Sequence, residues 1–142
     1  MPETLVQKLM KRTCITLDEN SSIKNLVDTL NKNKVGCVVV TSLQSNHPVG
    51  IVSERDLIRN YKIILNDNNI KVKDVMKKNI IFCNKNSSSK ELMEIMNENK
   101  IRHIPIMEQH KLLGIVSIGD VVNRIIENYV YETKCLREYI NS

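Results

Sequence analysis

This chain nearly repeats itself, and that constrains its fold more than any other feature. Displaced by 66 positions, residues 10–41 lie on residues 76–107. Met10-Lys11 meets Met76-Lys77, Asn20-Ser21-Ser22 meets Asn86-Ser87-Ser88, and Asn33-Lys34 meets Asn99-Lys100. After a longer loop in the first copy the displacement drops to 64. Gly50-Ile51-Val52-Ser53 then lies on Gly114-Ile115-Val116-Ser117, and Asp56 on Asp120. Two copies are too few for a solenoid. A unit of about 60 residues buries too little surface to be more than marginally stable alone. The copies, taken as residues 1–66 and 67–142, are therefore expected to pack face to face about a pseudo-twofold axis, with clefts between them.

Each copy reads as a βαββα unit, so the fold class is α/β in the broad α+β sense. Ile23, Leu26, Val27 and Leu30 fall at the spacing of a one-faced helix. Its counterpart opens with Ser88 and Glu91, at capping-box spacing. An apolar strand over 37–41, or 103–107, is followed by a polar turn and a second strand over 49–53, or 113–117, as in a hairpin. Short extended pieces at 13–16 and 79–82 could each add a strand. A second helix should begin near Ser53 and near Ser117. The later one continues without a breaker to about Ile140. Val122, Ile125, Ile126, Tyr129, Leu136 and Ile140 form one apolar stripe on it, and the stripe outlasts the repeat. Asn66-Asp67-Asn68-Asn69 reads as the linker.

Composition excludes several function classes. Hydrophobic residues make up 42% of the chain and aromatic residues only 4%, with no Trp. The core must be aliphatic, and stacking of single-stranded nucleic acid has little to rest on. The net charge of +5 is spread over both halves and forms no basic arm. Such an excess suits an anionic small ligand or a merely solvated surface. No apolar run approaches a membrane span. The cysteines Cys14, Cys37, Cys83 and Cys135 form no C-x-x-C pair, and no secretory leader is visible. Reduced thiols in a cytoplasm are the simplest expectation. The three histidines and four cysteines lack metal-ligand spacing. Gly114 and Gly119 have Walker-type spacing, but Asp120 and Val121 stand where Lys and Ser/Thr belong. No dinucleotide-binding G-x-G-x-x-G is present. No Cys or Ser neighbours a His in a nucleophile pattern.

The segment that carries chemistry is Gly-Ile-Val-Ser-x-x-Asp, at 50–56 and again at 114–120. It places a buried strand directly before a helix, with Ser and Asp three apart across the junction. Unpaired backbone N–H groups at a helix start favour anions. A carboxylate beside them can accept from the two hydroxyls of a ribose. The same Ser-x-x-Asp is also an ordinary helix cap that needs no ligand. Its recurrence in register is what gives the ligand reading weight.

With these segments, with Val72-Lys73-Asp74-Val75-Met76 opening the second copy, and with Arg102-His103-Ile104-Pro105-Ile106, the sequence resembles a cystathionine-β-synthase (CBS) domain pair, or Bateman module. The resemblance spans roughly residues 6–124. It implies a non-catalytic regulatory module that binds adenine nucleotides (AMP, ADP, ATP or NAD(H)) in clefts between the copies and signals to a protein target in trans. It implies Asp56 and Asp120 as ribose acceptors, Ser53 and Ser117 near ribose or phosphate, and Arg102, His103 and Arg55 toward phosphates. Backbone near 14–16 and 80–82 would flank the adenine. Ile15, Val38, Ile81, Ile104, Pro105, Ile118 and Gly119 complete the expected ligand contacts. The first copy departs from the pattern: Gly36-Cys37-Val38-Val39-Val40 has neither the basic pair nor the proline. Its cleft is expected to bind more weakly or to hold a different ligand. The alternative is a ligand-independent dimerisation module with empty clefts. In either case the outlasting apolar stripe must cover its own module or pair with a second chain, and the resemblance favours the second, a homodimer.

Overall fold

The computed structural model describes residues 3–141. The first copy contains β1 (Thr16–Asp18), α2 (Ile23–Asn33), β2 (Cys37–Thr41), β3 (Pro48–Ser53) and α3 (Glu54–Arg59), and a short α4 (Tyr61–Asn66) follows. The second contains α6 (Ser89–Asn99), β4 (His103–Glu108), β5 (Lys111–Ser117) and the long α7 (Ile118–Asn141). Two short helices precede the copies, α1 (Leu5–Leu9) and α5 (Val72–Val75). In the first sheet β2 lies between a parallel β1 and an antiparallel β3; in the second, β4 and β5 pair antiparallel. The same register shift occurs in both hairpins, at Val40/Thr41 and at Ile106/Met107. These positions are 66 apart, so the repeat extends to its irregularities.

The expected strand at 13–16 forms slightly later, as β1. Its counterpart at 79–82 does not form. Cys83 makes a single parallel bridge to Ile106, donating to the Pro105 carbonyl at 3.0 Å and accepting from Met107 N–H at 2.9 Å. Where the first copy has Thr16-Leu17-Asp18, the second has Phe82-Cys83-Asn84. Leu17 and Cys83 nevertheless fill the same buried place in their two cores.

Helices α2 and α6 have matching ends. Ser22 and Ser88 accept from the N–H groups of Asn25 and Glu91 at 3.0 and 3.1 Å, which satisfies one otherwise unpaired donor in each. Both helices stop at a lysine, Lys34 and Lys100, in the left-handed conformation.

The two cores exchange their short helices. Leu17, Leu26, Leu30, Val38, Val40 and Val52 of the first copy pack with Val72 and Val75 of α5. Leu92, Met96, Ile104, Ile106, Val116 and Val121 of the second pack with Leu5, Val6 and Leu9 of α1. Each copy is thus closed by a helix from beyond its own βαββα unit, and neither core is complete without the other half's segment. The α5 contact is tight at Gly50. Ile51 and Lys77 exchange backbone hydrogen bonds at 2.9 and 2.8 Å. A Cβ on Gly50 would collide with Met76 Sδ and lie 2.9 Å from the Lys77 carbonyl oxygen. Among the described residues, no helix is long and apolar enough to cross a membrane.

Candidate functional site

Two cavities, of about 340 and 420 Å³, lie against the two Ser-x-x-Asp segments. The first takes Ile51, Ser53, Arg55 and Asp56 from the first copy, and Lys100, Ile101, Arg102 and His103 from the second. The second cavity inverts this arrangement. Ile115, Ser117 and Asp120 come from the second copy, and Lys34, Val35, Gly36 and Cys37 from the first. The equivalence is residue by residue, since Lys34-Val35-Gly36-Cys37 and Lys100-Ile101-Arg102-His103 are 66 apart. Gly36, Cys37 and His103 border both cavities and form the wall between them.

The local chain fold fixes the two carboxylates. Asp56, only 4% exposed, accepts on Oδ2 from Ser53 N–H at 2.8 Å and from Ser53 Oγ at 3.1 Å. Asp120 Oδ2 accepts from Ser117 N–H and Ser117 Oγ, both at 2.9 Å. Ser117 Oγ in turn accepts from Asp120 N–H at 3.1 Å. The capping role expected of Ser-x-x-Asp is therefore real, and it holds each carboxylate at a cleft. A second pair of equivalent bonds secures the junction. Glu54 N–H donates to the Gly36 carbonyl at 2.9 Å, and Ile118 N–H to the Arg102 carbonyl at 2.8 Å.

The cation partners of the two carboxylates differ. Arg12 Nη2 meets Asp120 Oδ2 at 3.0 Å, while Lys77 Nζ stands 3.9 Å from Asp56 Oδ1. Burial would raise the Asp120 pKa, but the hydrogen bonds from Ser117 and Arg12 outweigh it and hold the carboxyl below its ordinary value. Burial lowers the His103 pKa, more than Asp120 nearby raises it, so the imidazole is neutral at pH 7. Burial, with Asp56 close by, pushes the Cys37 thiol up to about 12. A thiol so weakly acidic packs as a small apolar group and is a poor nucleophile.

Most of the expected site residues meet at these cavities: Ser53, Arg55, Asp56, Arg102 and His103 at the first, and Ile15, His103, Ser117 and Asp120 at the second. Arg102 of the second copy, however, lines only the Asp56 cleft, while His103 borders both. The Asp120 cleft has Gly36 at the position equivalent to Arg102, so the first copy's departure from the pattern removes a cation there. Val38, Ile104 and Pro105 are buried within β2 and β4, behind the cleft walls. Ile81 is half-buried and Ile118 and Gly119 are exposed on the first turn of α7; none of these six lines either cavity. Sequence reasoning missed Arg12, Lys34, Lys77 and Lys100, which line the cavities. Lys34 and Lys100 coincide in the repeat, and that coincidence was the available signal. Among the described residues, no group of three or more His, Cys, Asp or Glu side chains could hold a metal ion.

Comparison with known proteins agrees with this fold. The family model described as CBS domain matches the chain twice, over residues 6–63 and 72–127. A mitochondrial CBS domain-containing protein of Arabidopsis thaliana is 32% identical over 133 residues, covering 89% of this chain and 62% of its own length. The chain spans between about half and three-fifths of that protein and of another curated relative it matches. Among solved structures, a CBS-domain containing protein from Agrobacterium tumefaciens superposes with a TM-score of 0.75 at 37% identity, covering 84% of this chain and 88% of that one. A CBS domain protein from Pyrobaculum aerophilum, solved in complex with AMP, gives a TM-score of 0.72 at 29% identity, covering 84% and 89%.

Proposed function

The chain belongs to the CBS domain family, and on that premise we propose that it is a non-catalytic regulatory module binding adenosine-type ligands in its two inter-copy clefts. The observation that carries this is the pair of matching cavities, each with a cap-fixed aspartate and cations supplied by the other copy. Such a carboxylate can accept from both ribose hydroxyls, while the cations face phosphates. The AMP bound by the Pyrobaculum protein supports the ligand class. AMP, ADP, ATP and NAD(H) all carry the required adenosine. A ligand spanning both copies would stiffen one relative to the other, and that change is what a protein target acting in trans would read. The reading includes a homodimer and a cytoplasmic setting, the latter resting on four unpaired thiols.

The test is calorimetric titration of AMP, ATP and NADH into the whole protein and into Asp56→Ala and Asp120→Ala. A lost charge-assisted hydrogen bond corresponds to about 1.5–3 kcal/mol, so each variant should weaken the ligand of its own cleft by roughly ten- to a hundredfold. Unchanged affinity in both folded variants would remove the aspartates from the site. No binding of any of the three would favour the ligand-independent module.

A further inference from the structure

The two clefts share their architecture but differ in charge. Size does not separate them, at about 340 and 420 Å³. Arg55, Lys77, Lys100 and Arg102 line the Asp56 cleft against the carboxylates of Glu54 and Asp56. The Asp120 cleft has only Arg12 and Lys34 against Asp120. Arg12 is also committed, its guanidinium held 3.0 Å from the Asp120 carboxylate, whereas the Lys77–Asp56 approach is looser at 3.9 Å. The apolar lining is similar in the two, Ile51, Ile58 and Ile101 in the first and Leu9, Ile15, Val35 and Ile115 in the second, so the cations are what separates them. His103 borders both cavities and does not distinguish them.

The cause lies in the repeat. Arg102 occupies the position of Gly36, and the crossing of the copies delivers its guanidinium to the Asp56 cleft alone, while Gly36, Cys37 and His103 border both clefts. Lys100 and Arg102 are exposed at the rim, so a phosphate chain can reach them while the nucleoside sits deeper. Each phosphate beyond the first adds negative charge that only a cluster of donors can offset.

We propose that the clefts are selective by ligand charge: the Asp56 cleft takes the polyphosphorylated adenosine ligand, and the Asp120 cleft takes one with a single phosphate or none. This assignment rests on the adenosine-binding reading given above. It makes the module respond to two ligands independently, one at each cleft.

The experiment titrates the full chain with ATP and with adenosine, singly and then ATP into protein saturated with adenosine. Both should bind, and adenosine should not exclude ATP. Lys100→Asn/Arg102→Gln alters two exposed side chains, and Asn tolerates the left-handed backbone at position 100. It should weaken ATP by roughly ten- to a hundredfold and leave adenosine within about twofold. Arg12→Gln/Lys34→Asn should leave ATP within about twofold. If ATP affinity instead follows Arg12 and Lys34, survives the loss of Lys100 and Arg102, or is abolished by saturating adenosine, the charge assignment is overturned and adenosine binding stands. If neither ligand binds, the adenosine-binding reading itself falls, and the assignment with it.

Discussion

Lys34 and Lys100 show how much of the site could be read from single residues and how much could not. Each ends an 11-residue helix with φ of 53° or 54°, a conformation that favours glycine and is unfavourable by about 1 kcal/mol for a residue with a Cβ. Each also lines a cleft. The left-handed backbone is a cost at each lysine that a glycine would not carry. Lys34→Gly and Lys100→Gly should therefore each raise stability by about 0.5–1 kcal/mol, read as a higher urea midpoint at unchanged slope. Lys100→Gly should at the same time weaken ATP binding. A lower midpoint would mean that packing of the lysine stem, rather than ligand charge, keeps it in place. Asp56 and Asp120 were legible because their motif recurs in register. The lysines recur in register as well, but among 21 Lys and Arg residues spread over the chain no motif beside them ties that recurrence to a cleft.

At the scale of elements, strong periodicity gave reliable positions. The strand expected over 37–41 is β2, and the helix of Ile23, Leu26 and Leu30 is α2. The short helices escaped notice, because four or five residues span too little of a helical period to show a stripe. Yet α1 and α5 close the two cores. The sequence marks the turn between β4 and β5 only as polar, and its geometry is more specific. Glu108 pairs with Lys111 across a two-residue turn, and Gln109 and His110 have φ of 49° and 64°. Two left-handed residues in that position form the hairpin turn for which Asn-Gly is the favoured sequence. Replacing Gln109-His110 by Asn-Gly should stabilise the protein by about 1 kcal/mol. Neither residue lines a cleft, so ligand affinity should not move. Chemical denaturation followed by circular dichroism, with a ligand titration alongside, checks both halves of this expectation.

At the scale of the whole molecule, the repeat implied clefts between the copies, and two cavities lined by both copies are found. Which strand start completes which motif was not legible, because periodicity describes each copy alone and the crossing belongs to their packing. The same limit applies to α7, whose stripe outlasts the repeat. The helix has 24 residues, about 36 Å at the usual rise, and among its described side chains only Val121 is buried. Ile126, Tyr129, Val130, Leu136 and Ile140 are each more than half exposed. So are Ile58, Tyr61, Ile63 and Leu65 on α3 and α4, which stand where the repeat places the first half of α7. Burying a side chain of this kind stabilises by about 1.5–3 kcal/mol, so two equivalent apolar helix faces are a large unfilled term. A second copy of the chain would cover both faces with matching surface, since a twofold contact pairs each face with itself or its equivalent. Full-length protein should therefore be dimeric by light scattering, and truncation after Asn128 should yield a folded monomer or a dimer weakened by at least tenfold. A truncated protein that dimerises as before would assign the contact to α3 and α4, and a full-length monomer at high concentration would refute the dimer.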